Sequence, residues 1–236
     1  MRQLCIHHHL GLGDHLDCNG LVRHILKEGP YDRIHVFSKS NYYDMIEFMY
    51  RDEENIIVAE IDKNVDEYPQ VEEYVKRGDF ENFLRIGHEN YPFLKEGLYG
   101  KNCWEFFYDQ VNVPYGVRTN LFYFDRDKEE EERVFKKLNE ESESFIFVHD
   151  DLARGYTVDH SHFLDQSIKV IENDVTENIF HFIKILETAE EIHCMESSFK
   201  SLIDLYAKTD KLFYHDFRNQ PLGNHTNKKW RIIKYE

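Results

Sequence analysis

The chain has 236 residues, 41% of them hydrophobic and 31% charged, a globular balance with enough apolar material to bury a core without disulfides. A formal net charge of −16, with no block of Lys or Arg, argues against nucleic acid as a partner and against binding to an anionic membrane surface. No apolar run approaches the about 20 residues of a membrane span, Met1–Ile6 is too quickly polar for a signal peptide, and Cys5, Cys18, Cys103 and Cys194 form no C-x-x-C pair, so the cytoplasm is the expected compartment.

Strand and helix signals alternate from the start. Gln3–His9 reads as a strand. Leu12, Leu16, Leu21, Val22 and Ile25 recur at helical spacing, predicting a helix over about 15–27, stopped by Gly29-Pro30. Strands follow at Arg33–Ser38, Asn55–Ile61 and Phe83–Gly87, separated by helices at Tyr42–Tyr50 and Val65–Arg77. The stretch from His88 to Gly100 is irregular and aromatic, Cys103–Val111 reads as a helix, and Pro114–Asp127 shows no period. The domain boundary is placed in that last stretch, giving domains 1–120 and 121–236. The second half repeats the logic. Helices are predicted at Lys128–Glu140, Glu177–Leu186 and Ser197–Ala207. Strands are predicted at Phe145–His149, Ile168–Ile171, Glu191–Met195, Leu212–His215 and Trp230–Tyr235. This alternation predicts an α/β protein of two Rossmann-like domains with parallel sheets, each of about four or five strands, with a single large sheet as the alternative.

In such sheets ligands bind beyond the carboxyl ends of the strands, and three predicted strand ends carry unusual residues. The first is His7-His8-His9-Leu10-Gly11-Leu12-Gly13-Asp14-His15. Its glycines allow a tight turn before a helix N-terminus, whose partial positive charge favours anions. Asp14 there is a helix cap or a functional carboxylate, and the residues alone leave both open. On a strand His7 and His9 face one way and His8 the other, so at most two of them share a metal, with Asp14 or His15 as a third ligand; a packed or cleft-lining role is favoured and no metal is expected. The second strand end runs into His149, Asp150, Asp151 and Arg154, where Arg154 either clamps a phosphate or pairs with a neighbouring aspartate. The third is Glu196-Ser197-Ser198, where hydroxyls and unpaired N–H groups open a helix. Asp125-Arg126-Asp127 has the form of a metal-holding D-x-D but precedes a charged helix and reads as a cap, and Glu129–Glu132 reads as a solvated face. The dinucleotide G-x-G-x-x-G, the P-loop and the G-x-S-x-G elbow are absent.

Taken together, these segments resemble a glycosyltransferase of the GT-B architecture, two parallel sheets facing across a cleft. They are most similar to the ADP-heptose:lipopolysaccharide heptosyltransferase family. Gly11-Leu12-Gly13-Asp14 resembles that family's first-strand G-x-G-D turn, and Glu196-Ser197-Ser198-Phe199-Lys200-Ser201-Leu202 resembles its Asp-Thr-Gly-x-x-His-Leu segment, with Glu for Asp, Ser198 for Gly and Ser201 for His. The resemblance implies a metal-independent, inverting transfer of a sugar from a nucleotide diphosphate donor to a carbohydrate acceptor, with no other cofactor. Asp14 would be the catalytic base, helped by His9 or His15. Arg154, His149, Glu196, Ser197 and Ser198 would face the donor, while His8, Gly11 and Gly13 would shape the acceptor side. Tyr91 to Tyr99 would stack on sugar or simply pack. The alternatives are a sugar-nucleotide epimerase and a non-catalytic nucleotide- or glycan-binding module of the same fold.

Overall fold

The computed structural model describes residues 1–88, 103–140, 144–218 and 228–235. The chain forms two compact units, Met1–Asp125 and Arg126–Glu236. Among the described residues no helix is long and apolar enough to cross a membrane.

In the first unit the order is β1 (Gln3–His7), α1 (Leu12–Glu28), β2 (Arg33–Lys39), α2 (Tyr43–Tyr50), β3 (Ile56–Ile61), α3 (Glu67–Arg77), β4 (Asn82–Arg85), α4 (Cys103–Gln110) and α5 (Val117–Asn120). The four strands lie in the order β3-β2-β1-β4, and every pairing is parallel. The apolar runs of β1 and β2 are buried along their length, as a sheet covered on both faces requires. The first two crossovers step one way along the sheet and the third steps back across it. Right-handed crossovers therefore put α3 on the face opposite α1 and α2. Val71 of α3, with Tyr74 and Val75, packs there on Cys5, Phe37, Ala59 and Ile61.

In the second unit the order is α6 (Lys128–Leu138), β5 (Phe145–Val148), β6 (Lys169–Glu172), α7 (Ile183–Thr188), β7 (Glu191–Cys194), α8 (Ser198–Tyr206), β8 (Leu212–Asp216) and β9 (Trp230–Lys234). The five strands run β6-β5-β7-β8-β9, again all parallel. Two parallel sheets of four and five strands are the architecture the alternation predicts. A buried polar chain crosses the second sheet. Glu191 Oε1 lies 2.7 Å from His193 Nε2, His193 Nδ1 lies 2.8 Å from His215 Nε2, and His215 Nδ1 lies 2.5 Å from the Tyr235 hydroxyl. Burial lowers the pKa of both histidines to about 3, so they act as neutral links between strands.

Local departures from the sequence reading have physical causes. α1 begins at Leu12 rather than near residue 15, so Asp14 lies inside its first turn. The helix expected over Glu177–Leu186 starts as a 3₁₀ turn, Ile179–Phe182, capped by Asn178. Ile179, Phe180, Phe182 and Ile183 are all buried, so the segment lacks the polar face that a regular amphipathic helix keeps. The stretch without period, Pro114–Asp127, holds α5, too short to show one. It is held by tertiary bonds: Arg118 and Asp17 form a buried ion pair at 2.5 Å, and the Asn19 side chain exchanges two 3.0 Å hydrogen bonds with the Tyr123 backbone. Asp127 caps α6 by accepting from the Glu130 N–H, as a cap reading of that D-x-D requires. Glu131 departs from the solvated face expected of the acidic run, being buried against Arg126.

Arg118→Met removes the guanidinium that pairs with the buried Asp17 carboxylate. It is expected to destabilise the first unit by about 3–5 kcal/mol, and Asp17→Asn added to it should recover part of that loss. Urea unfolding midpoints of the single and double variants measure both.

Candidate functional site

In the first sheet the order reverses at β1, whose neighbours β2 and β4 are reached by crossovers on opposite faces. Such a switch point is where open α/β sheets place their ligands, and here it falls at the carboxyl ends of β1 and β4. His7 and Arg85 end those two strands in register, and the chain leaves β1 directly into His8-His9-Leu10-Gly11.

Gly11 is the N-cap of α1 with an ordinary φ of −74°. The glycine leaves room for the Asp14 carboxylate in its present position: a Cβ there would stand 2.7 Å from Asp14 Oδ2 and push that side chain aside. Asp14 is therefore not the N-cap. It sits in the first turn, half-buried, and its Oδ1 accepts from Trp104 Nε1 at 3.0 Å. Desolvation raises its pKa; the nearby His9, the Trp104 indole and the Gly11 N–H oppose the rise without cancelling it. Gly13 lies in the same turn.

The histidines divide by role. His9 Nε2 bonds the Gly87 carbonyl at 2.8 Å, and its ring packs edge-on to Phe107 and His88. His8 is fully buried. Its Nδ1 meets the His9 carbonyl at 2.6 Å, its Nε2 has no partner, and burial pulls its pKa down to about 4. His15 is also fully buried, edge-on to His8 at 4.7 Å, with neither ring nitrogen partnered. Desolvation, then His8 and Lys39, holds it well below the usual histidine range. The structure thus brings Asp14 and His9 into electrostatic reach and puts His15 among packed side chains. Trp104 was not singled out in the sequence; its role appears only when α4 is placed beside α1. Tyr91 to Tyr99 lie outside the described residues.

The second sheet reverses its order between β5 and β7, and the other residues singled out in the sequence gather there. Arg154 is presented by a tight loop in which Asp151 and Tyr156 exchange two 3.0 Å backbone bonds. It pairs with Asp151, and its Nη2 donates to the Glu196 carbonyl at 3.1 Å. Glu196 also accepts from the Tyr214 hydroxyl at 3.3 Å. Arg154, Glu196, Tyr156, Tyr214 and Phe217 line one small hollow. Ser197 is the N-cap of α8 yet makes no side-chain cap hydrogen bond, and Ser198 opens the helix. His149 is buried against Phe199, their rings 4.7 Å apart, and desolvation lowers its pKa to about 4. Asn173 offsets part of that shift without closing a hydrogen bond to either ring nitrogen.

No family model matches this sequence, and no curated protein matches it. Solved structures share the fold. A glycosyl transferase family 9 structure from Veillonella parvula DSM 2008 superposes with a TM-score of 0.62 at 10% identity, covering 100% of this chain and 88% of that one. Escherichia coli ADP-heptose lps heptosyltransferase II gives 0.61 at 12% identity, covering 99% and 90%. E. coli heptosyltransferase WaaC with ADP-2-deoxy-2-fluoro heptose gives 0.51 at 9%, covering 98% and 92%.

The raised Asp14 pKa has a sign that can be checked. The folded state holds this proton more tightly than the unfolded chain, so the stability associated with it is lost as pH rises from about 3.9 through the raised value. Asp14→Asn lacks that titration. Relative to the variant, the native chain is expected to lose stability across this window and then level off. Denaturant midpoints measured against pH test it, and parallel curves would refute the raised pKa.

Proposed function

We propose that this protein is a glycosyltransferase that moves a sugar from a nucleoside diphosphate donor to a carbohydrate hydroxyl, with inversion and with no metal in the chemical step. The observation that carries the reading is the convergence of each unit's singled-out residues on the switch point of its own sheet. The shared fold with family 9 structures supports the same reading.

Asp14 is the general base. A half-buried carboxylate whose pKa is raised toward working pH takes a proton more effectively than an exposed one. It removes the acceptor hydroxyl's proton as that oxygen bonds to the anomeric carbon. The bond from that carbon to the diphosphate breaks on the opposite side and the diphosphate leaves. His9, which acts electrostatically on Asp14, favours its ionised form. In the second unit the start of α8, with Ser197 and Ser198, and the Arg154 guanidinium hold the diphosphate and take up its developing charge. For Arg154 this means exchanging its Asp151 partner for phosphate oxygens, which suits a planar, always-charged fork. Glu196 orients Arg154 through its carbonyl and Tyr214 through its carboxylate.

Three measurements follow. Nucleoside diphosphates and their sugar conjugates should raise the melting temperature, and a screen in which none does so refutes the donor site. Asp14→Asn should lower kcat about 10²–10⁴-fold, the usual worth of a general base, with donor affinity unchanged. Arg154→Ala should weaken donor binding about tenfold or more, the value of hydrogen bonds to a charged group. Donor binding without turnover on any carbohydrate acceptor would instead mark a binding module.

A further inference from the structure

Among the described residues, His7, Glu67 and His88 are the one set of three His, Cys, Asp or Glu side chains whose ligand atoms all lie within 4.8 Å of one another. They come from three places. His7 ends β1, Glu67 opens α3, and His88 follows β4. The sequence alone could weigh only ligands from the first turn, two of its histidines with Asp14 or His15, and favoured a packed role for them. The fold replaces those neighbours with residues far along the chain.

We propose that His7, Glu67 and His88 bind a borderline divalent transition ion, with Zn²⁺ as the type. Two histidines and one carboxylate are a donor set of open zinc sites that leave a fourth position to water. His7 Nε2 and Glu67 Oε1 stand 3.3 Å apart. That is long for a hydrogen bond to an ionised carboxylate. Two ligands bonded at about 2.0–2.1 Å to a tetrahedral zinc stand about 3.3 Å apart.

The surroundings orient each ligand. The Tyr68 hydroxyl lies 2.9 Å from His88 Nδ1, while His88 Nε2 is buried and closes no well-formed hydrogen bond, although the His8 backbone lies near enough to act on the ring. An outer hydrogen bond on one ring nitrogen, with the other not committed to a strong partner, is the arrangement of a metal-ligating histidine. Gly87 sets the position of His88: its φ is +82°, and a Cβ there would strike the Phe107 ring at 2.4 Å. His7 is wholly buried, between Phe37 and Tyr68. Lys39 Nζ holds the other Glu67 oxygen at 2.9 Å, leaving Oε1 to bind in monodentate fashion. The His7 and His88 rings, now 4.2 Å apart and tilted by 32°, must splay to converge on an ion. Lys39 opposes a dication, so the site is built for weak, exchangeable binding. It lies under α3, on the sheet face opposite α1 and Asp14, and the inference does not rest on the transferase reading.

The test uses the full chain without an affinity tag, stripped with chelator and titrated with Zn²⁺ and Co²⁺. One equivalent should bind, with the visible absorption of tetrahedral Co²⁺. Glu67→Gln, a change in the first turn of a surface helix, and His88→Gln should each weaken Zn²⁺ at least about tenfold, while Tyr68→Phe should weaken it about 10- to 100-fold. Lys39→Met should tighten it. Circular dichroism checks that each variant folds. No uptake by the native chain, or unchanged affinity in folded Glu67→Gln and His88→Gln, overturns the proposal.

Discussion

The constraint on which both units depend is the order of their parallel strands. A parallel sheet sends every strand's exit to the same edge, and a reversal of strand order opens a crevice at one place along it. In the first unit that place is beside β1, so the histidine run, the Gly11 turn and the residues after β4 meet there. In the second it lies between β5 and β7, so the loop carrying Arg154 meets the start of α8. These are segments far apart in the chain that handedness and pairing leave no other place to go.

Desolvation is the main electrostatic agent in the first of these places. It raises the Asp14 pKa and lowers those of His8 and His15, and in each case it is the largest cause. The result is a carboxylate that holds its proton more tightly than usual, in a turn where His8 and His15 are held neutral. Elsewhere buried charge is paired instead. Asp17 meets Arg118, and Lys200 meets Asp204 at 3.2 Å within α8. His15 and His149 are not paired in this way: their ring nitrogens are buried among packed side chains with no hydrogen bond closed, so desolvation above all keeps them neutral.

Legibility followed the range of the interaction involved. β1, β2 and β5 were readable because a short buried apolar run between turn signals needs no distant information. Asp14, Arg154 and Glu196 were readable as residues of interest because strand ends can be located from those runs. α5 was not readable, since four residues carry no period and its place is set by the Arg118–Asp17 pair. The Glu191–His193–His215–Tyr235 chain was hidden for a similar reason: its histidines lie inside strands that read simply as apolar.

The sequence by itself determined that the chain is α/β, that its sheets are parallel, and which strand ends carry polar residues. Hydrophobic period and turn chemistry are local, and strand–helix alternation permits few topologies. The Gly11–Asp14 turn was visible at that level, but its meaning was not. Only the tertiary structure placed Asp14 inside α1 under the Trp104 indole, and only it set Glu67 and His88 beside His7. Burial and through-space distance are properties of the packed sheet, and neighbours along the chain do not specify them.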